Sequence, residues 1–291
     1  MQKYPFIALF LLPIFAFAEE TSNGFYGILE TGFEYLNLQT ADKQTKINKN
    51  NLHTFRAKGG YEWDTGWRFG LNFNYTGGGS QWDMSGVPFE RGASNMPYRA
   101  EGGANAVIFA FGLQGGYHAI RSKEQDLYIN LAYIVDLDGV TGTFPLNSMY
   151  IGEEIRLELE GRSLVLPKWS IGYSLGASYG RNDSWFYSAD EDYMRLVPIE
   201  KKEHDTLKDD EAWAKVGGVW GLYGDVKWIY HMTPSKDFFI KWDFNVKFYP
   251  KSEEVHVRAS YVPGNRSLGE MSLYTPKTRI FRSGIAIGAA F

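Results

Sequence analysis

The sequence predicts an all-β fold: an antiparallel transmembrane β-barrel of about ten strands with five long outer connections. Three observations carry this. Segment after segment alternates apolar with polar or charged residues, as in residues 238–249, FFIKWDFNVKFY. Successive side chains of a strand point to opposite faces, so each such segment has one greasy and one ionic side. The connections between these segments alternate short and long, which suits a barrel with tight turns on one side of a membrane and long loops on the other. Aromatic residues gather at both ends of the apolar faces, as in the interfacial girdles of membrane barrels.

Composition agrees. The 291 residues include 20 Phe, 19 Tyr, 9 Trp and 32 Gly, a mixture suited to short alternating strands and turns. Charge is nearly balanced, 30 Lys+Arg against 34 Asp+Glu, so nothing points to a nucleic-acid partner. No Cys is present, which argues against a disulfide-stapled exported domain. The first residues read as a signal peptide, residues 1–18. Lys3 gives a positive start, residues 4–15 are almost all apolar, and Ala16-Phe17-Ala18 fits a small-x-small cleavage site before Glu19. Residues 19–291 are then the barrel. An exported, alternating, aromatic-rich chain is expected in the outer membrane of a Gram-negative-type bacterium.

Taken in order, residues 24–38 form the first strand, with Phe33 and Tyr35 opposing Glu30 and Glu34. Residues 39–51 are polar and read as a loop. Residues 52–63 and 67–76 are two strands around the tight turn Asp64-Thr65-Gly66. Residues 77–103, opening on Gly77-Gly78-Gly79, read as a long flexible loop. Strands follow at 105–117, 127–137, 150–161 and 169–180. The longest polar segment, 181–210, separates them from strands at 213–230 and 238–249. A last long loop is expected over 250–277, then the closing strand 280–291.

Trp63, Trp67, Tyr117, Trp169, Trp228 and Phe238 fall on the short-turn side of the apolar faces. Tyr35, Phe55, Tyr75, Tyr179 and Phe248 fall on the other. A charge at the middle of such a lipid face costs about 2–4 kcal/mol, and Glu153, near a strand end, is the visible exception to its avoidance. The opposite face carries Glu30, Glu34, Arg56, Lys58, Glu62, Arg68, Asp136, Glu154, Arg156, Glu158, Glu160, Lys215, Asp225, Lys227, Lys241, Asp243, Lys247 and Arg282. Signs are mixed, and a ten-stranded lumen is only a little wider than one that side chains fill. The expectation is a closed, ion-paired interior. A small charged channel is the alternative.

With the barrel as scaffold, function falls to the outer loops. Several segments along the chain resemble the omptin superfamily, which holds the omptin outer-membrane proteases and the Opc-type adhesins. They are 76–83, TGGGSQWD, Asp190-Glu191-Asp192-Tyr193, Tyr230-His231-Met232-Thr233-Pro234, 272–278, SLYTPKT, and 284–288, GIAIG. The resemblance spans most of the chain and is mainly topological. It implies a water activated between an Asp–His couple and a carboxylate pair; a carboxylate orients the imidazole, which takes the proton. The residues available for those roles are Asp83, Asp190, Asp192 and His204. The set is incomplete: Asp83 stands alone where the family has two Asp, and Asp192 stands where the His belongs. His204 is also read as a solvated loop residue.

The loop aromatics Trp82, Trp185 and Phe186 are candidate ligand contacts, because aromatics at loop tips anchor partners when they do not pack on each other. The other histidines show no metal-ligand spacing, and no Gly-rich turn opens a helix, so neither metal nor cofactor is expected. Three functions stay open: an endopeptidase for basic peptides, a surface adhesin for a host protein or glycan, and a small porin. Outer-membrane lipid is the partner common to all.

Overall fold

The computed structural model describes residues 24–41, 45–85, 99–122, 124–142, 146–188, 194–198, 211–261 and 266–291. The expected signal peptide lies outside them. The strands are β1 (Gly24–Thr40), β2 (Thr45–Glu62), β3 (Trp67–Ser85), β4 (Arg99–Arg121), β5 (Gln125–Gly142), β6 (Leu146–Leu166), β7 (Trp169–Ser188), β8 (Met194–Pro198), β9 (Glu211–Thr233), β10 (Lys236–Tyr249), β11 (Val255–Tyr261), β12 (Arg266–Leu273) and β13 (Thr278–Ala290).

Ten of these strands close an antiparallel barrel in the order β1-β13-β10-β9-β7-β6-β5-β4-β3-β2. First and last strands pair along their length, from Ile28 opposite Ala290 to Thr40 opposite Thr278. Closure removes the sheet edges, so every strand's backbone groups find partners without water, as a lipid-embedded sheet requires. The outward side chains confirm the belt. Leu131, Leu157, Leu175 and Ile285 are 56–62% exposed, although each is strongly apolar. The girdle residues lie where the alternation puts them: Trp63, Trp67 and Trp228 are exposed toward the short turns, Phe55, Tyr75 and Tyr179 toward the long connections. Glu153 is outward too. It accepts a hydrogen bond from the Tyr133 hydroxyl and stands opposite Arg181 in the ladder.

The strands run longer than alternation alone suggests. The span 77–103 is not simply a loop: β3 continues through Gly77-Gly78-Gly79 to Ser85 and pairs with β4 from Arg99 onward. The span 250–277 is not a loop either. It contains β11 and β12, which join β8 in a separate three-stranded sheet, order β12-β11-β8. That sheet belongs to the long-connection side. Phe186, Ala212, Ala214, Val257 and Leu273 form a buried cluster that fastens β11 and β12 to the outward extensions of β7 and β9.

One lumen assignment is corrected. Lys215 is exposed and points away from the lumen. A β-bulge at Val216 shifts the register of β9 against β7, so that Asn182 pairs with Gly217 but Asp183 pairs with Lys215. Gly217 takes φ +81°, a conformation that favours glycine. Beyond the bulge, the residues that face inward change parity, and Val216 turns in.

Candidate functional site

The inward face is built in levels. Toward the short turns, inside the rim, Glu160 of β6 takes Lys58 of β2 at 2.8 Å, Arg68 of β3 at 2.5 Å and Lys227 of β9 at 3.7 Å. One carboxylate thus ties together strands from opposite walls. Arg68 also lies over the Tyr128 ring, 3.8 Å from its centroid. At mid-height, Arg56 binds Asp243 at 2.5 Å and Glu30 at 3.3 Å, and pairs with Glu34. Lys241 pairs with Glu30. A cavity of about 210 Å³ remains between these two levels, lined by charged and amide side chains. Higher still, Lys247 of β10 reaches across to Asp136 and, at 3.1 Å, to Asp138 of β5, and Tyr249 donates to Asp138 at 2.6 Å.

Around and beyond the uppermost ion pairs the lumen also carries apolar side chains, with Leu52 opposite Glu34, Ile108 opposite Asp138 and Ile280 opposite Lys247 in the ladders. Leu36, Leu52, Ala106, Ile108, Tyr150, Val216, Val219, Tyr249 and Ile280 form one buried cluster, contributed by β1, β2, β4, β6, β9, β10 and β13. Tyr150 and Tyr249 stack with ring centroids 4.1 Å apart. Leu52 is 0% and Leu36 2% exposed. The alternation had marked the inward face as ionic throughout. No single strand announces the apolar cluster, because each contributes only one or two of its residues.

The outer end lies beyond this layer. β7 and β9 carry Trp185 and Trp213, stacked at 5.6 Å and 12° between planes. Ser184 shares a hydrogen bond with Thr275 at 2.8 Å, and Ser252 pairs with the Thr275 backbone, so the segments flanking β11 and β12 are seated on the barrel wall. Phe186 is corrected by this geometry. It is no loop-tip residue but is 5% exposed, inside the cluster under the outer sheet. Trp185 likewise sits on a strand.

Of the proposed catalytic residues, Asp190, Asp192 and His204 lie outside the described residues. Asp83 and Trp82 lie near the outer end of β3, and their side chains lie outside those described. The register puts Glu101 of β4 directly across from Asp83, with Lys46 of β2 on the other side. Glu101 is a second carboxylate that the linear sequence did not suggest, since the pairing depends on β3 and β4 continuing past the glycines. Among the described residues no cluster of His, Asp and Glu is arranged to hold a metal ion.

No family model matches the chain, and no curated protein matches it in sequence. Among solved structures it is similar to the outer membrane protease OmpT from Escherichia coli, with a TM-score of 0.62 at 10% identity, over 94% of this chain and 99% of that one. The translocator domain of the autotransporter NalP from Neisseria meningitidis aligns over 97% of this chain and 92% of its own, at 11% identity and a TM-score of 0.41, too loosely to bear on the argument. At 10% identity the first likeness speaks for the fold alone. This chain is an outer-membrane β-barrel with the architecture that the omptin resemblance implied.

Proposed function

We propose that this barrel is a non-conducting surface protein that binds a peptide, host protein or glycan at its outer end. The observation that supports this most directly is the apolar layer across the lumen, Leu36, Leu52, Ile108, Val219 and Ile280 among its members. Ions do not cross packed apolar side chains interleaved with paired charges without a large desolvation cost. A porin role is therefore disfavoured. The strands and the β8–β11–β12 sheet that continue past the lipid belt offer surface for a ligand, which favours the adhesin reading.

Two measurements test it. The purified barrel should give no conductance steps in a planar bilayer. Cells displaying it should be retained on an array of matrix proteins and glycans, and replacement of residues 255–273 by a Gly-Ser linker should abolish retention. Conductance steps, or no retention on any surface, would sink the reading.

An omptin-type endopeptidase is the second reading, supported by Glu101 standing opposite Asp83. A carboxylate pair on adjacent strands is what polarising a water requires. In this reading Asp190, Asp192 and His204 supply the opposing acid and base, and Trp82 and Trp185 the substrate contacts. Cleavage of basic fluorogenic peptides that is lost in Asp83→Ala and His204→Ala would establish it; cleavage untouched by both would remove that site.

A further inference from the structure

The short-turn rim of the barrel carries a second constellation, far from the outer loops. The His231 Nδ1 lies 2.7 Å from the Asp237 Oδ1, and its Nε2 lies 2.7 Å from the Ser170 hydroxyl. A carboxylate only accepts, so Nδ1 holds the proton of the neutral ring and leaves Nε2 to accept the Ser170 hydroxyl proton. That is the order of roles in a hydroxyl nucleophile, its general base and the group that orients the base. The register explains how three strands converge. Asp237, the second residue of β10, stands opposite His231 near the end of β9, and Ser170, the second residue of β7, stands opposite Ile229.

The other rim histidine shows that this is not the generic environment. His118 has carboxylates on both sides, Glu62 at 3.2 Å and Asp126 at 3.1 Å, and lies against the Tyr128 ring. No hydroxyl reaches it, so it has no proton to take from a nucleophile.

A cavity of about 280 Å³ opens beside the constellation. Asp237, Ile229 and Gly172 line it. Ile229 is the ladder partner of Ser170 and Gly172 lies two residues along β7, so the cavity runs alongside the strand end that carries the hydroxyl, which is itself 1% exposed. A Cβ at Gly172 would come within 3.0 Å of Ile229, so glycine keeps this side open. Phe239 and Phe291 supply apolar wall. Arg162, also lining the cavity, holds its guanidinium 3.6 Å from Asp237 and is the N–H donor at hand for a carbonyl oxygen.

We propose that Ser170, His231 and Asp237 form a serine-hydrolase site facing the periplasm, acting on a carboxylic ester with a small acyl group. The Ser170 oxygen attacks the carbonyl carbon while His231 takes its proton. The bond to the alcohol oxygen breaks as His231 returns that proton to the leaving alcohol. Water then gives a proton to His231 and adds to the acyl-serine; the carboxylic acid departs and Ser170 recovers its proton. The sum is ester plus water to acid plus alcohol. Asp237 is a positioning residue in this scheme. The site is independent of the outer-end reading, and either stands without the other.

The test uses the full chain, purified in detergent, with a fluorophosphonate probe and, separately, p-nitrophenyl acetate. Labelling should map by mass spectrometry to the Ser170 peptide, vanish in Ser170→Ala, and slow by about a hundredfold or more in His231→Ala. Asp237→Asn should slow ester hydrolysis and flatten its pH profile, which a merely structural carboxylate would not do. Should Ser170→Ala fail to fold, the mapped wild-type peptide decides. A wild-type barrel that takes no label, or a label that persists at another residue in folded Ser170→Ala, overturns the proposal.

Discussion

The lumen holds two kinds of interior a few ångströms apart. Toward the short turns it is ionic: Glu160 gathers three cations from three strands, and Arg56 gathers three carboxylates. Toward the outer end it is largely aliphatic, with Leu36, Leu52, Ile108, Val219 and Ile280 packed as in a soluble core around the uppermost pair, Lys247 and Asp138. Both levels close the barrel, by different physics. The aliphatic level is held by area removed from water and resists nothing but a change of volume or polarity. The ionic level is held only while every charge keeps its partners, because a lone buried charge costs far more than the pair contributes. Stability and impermeability are thus divided between neighbouring layers.

The sharpest way to break the ionic level is at its top. Lys247 is 3% exposed and serves Asp136, Asp138 and Glu154 together. Lys247→Met would leave Asp136 and Asp138 buried without their lysine, while Glu154 keeps Arg156. We expect a loss of about 3–5 kcal/mol, read as a lower guanidinium midpoint of the vesicle-embedded barrel. Adding Asp136→Asn and Asp138→Asn should recover much of it, whereas a structural role for the lysine stem alone would show no recovery.

The aliphatic level should answer more gently. Leu52→Ala removes a fully buried side chain and should cost about 2–5 kcal/mol. Replacing Leu36, Leu52 and Ile108 together by glycine should open the layer and turn a silent bilayer into a conducting one. If the triple variant stays silent while folded, the ionic levels beneath are sufficient to block the lumen and the division between layers is wrong.

Much of this wall could be read in the sequence. The alternation in 238–249, the tight turn at Asp64-Thr65-Gly66 and the Trp and Tyr belts all report a local rule, two faces and two interfaces, that each strand repeats. What escaped reading depends on partners. The β-bulge at Val216 changes which residues of β9 face inward, and no local pattern announces it, so Lys215 was assigned to the wrong face. The extension of β3 past Gly77 needs β4 beside it, because three glycines in a row carry no alternation of their own. β8, β11 and β12 are short, and they are held by the cluster around Phe186 and Val257, which joins residues far apart in the chain. At the candidate outer site, Asp83 could be singled out but Glu101 could not, since only the register brings them opposite each other. Ser170, His231 and Asp237 are equally scattered, each at a strand end, with no motif to link them.

The weakest expected effect tests whether the lumen's rule holds on the other face of the wall. Glu153 is an exposed carboxylate on the lipid side, bonded by Tyr133 and opposite Arg181. Inside the barrel, removing such a partner should be expensive. On the outside, the answer depends on depth. At the level of the headgroups, water and lipid phosphates compete with the pair, and Arg181→Gln should cost no more than about 1 kcal/mol, shrinking further in high salt. Were Glu153 instead within the hydrocarbon, the same change would expose an unpaired charge to lipid and cost more than about 1 kcal/mol, with little dependence on salt. Glu153 lies next to the level of Tyr179 and Tyr133, on the long-connection side of the belt, so the small and salt-sensitive value is expected. Guanidinium titration of Arg181→Gln in vesicles at two salt concentrations therefore places the outer boundary of the membrane on this wall, and with it separates what the barrel buries in lipid from what it raises above the cell surface.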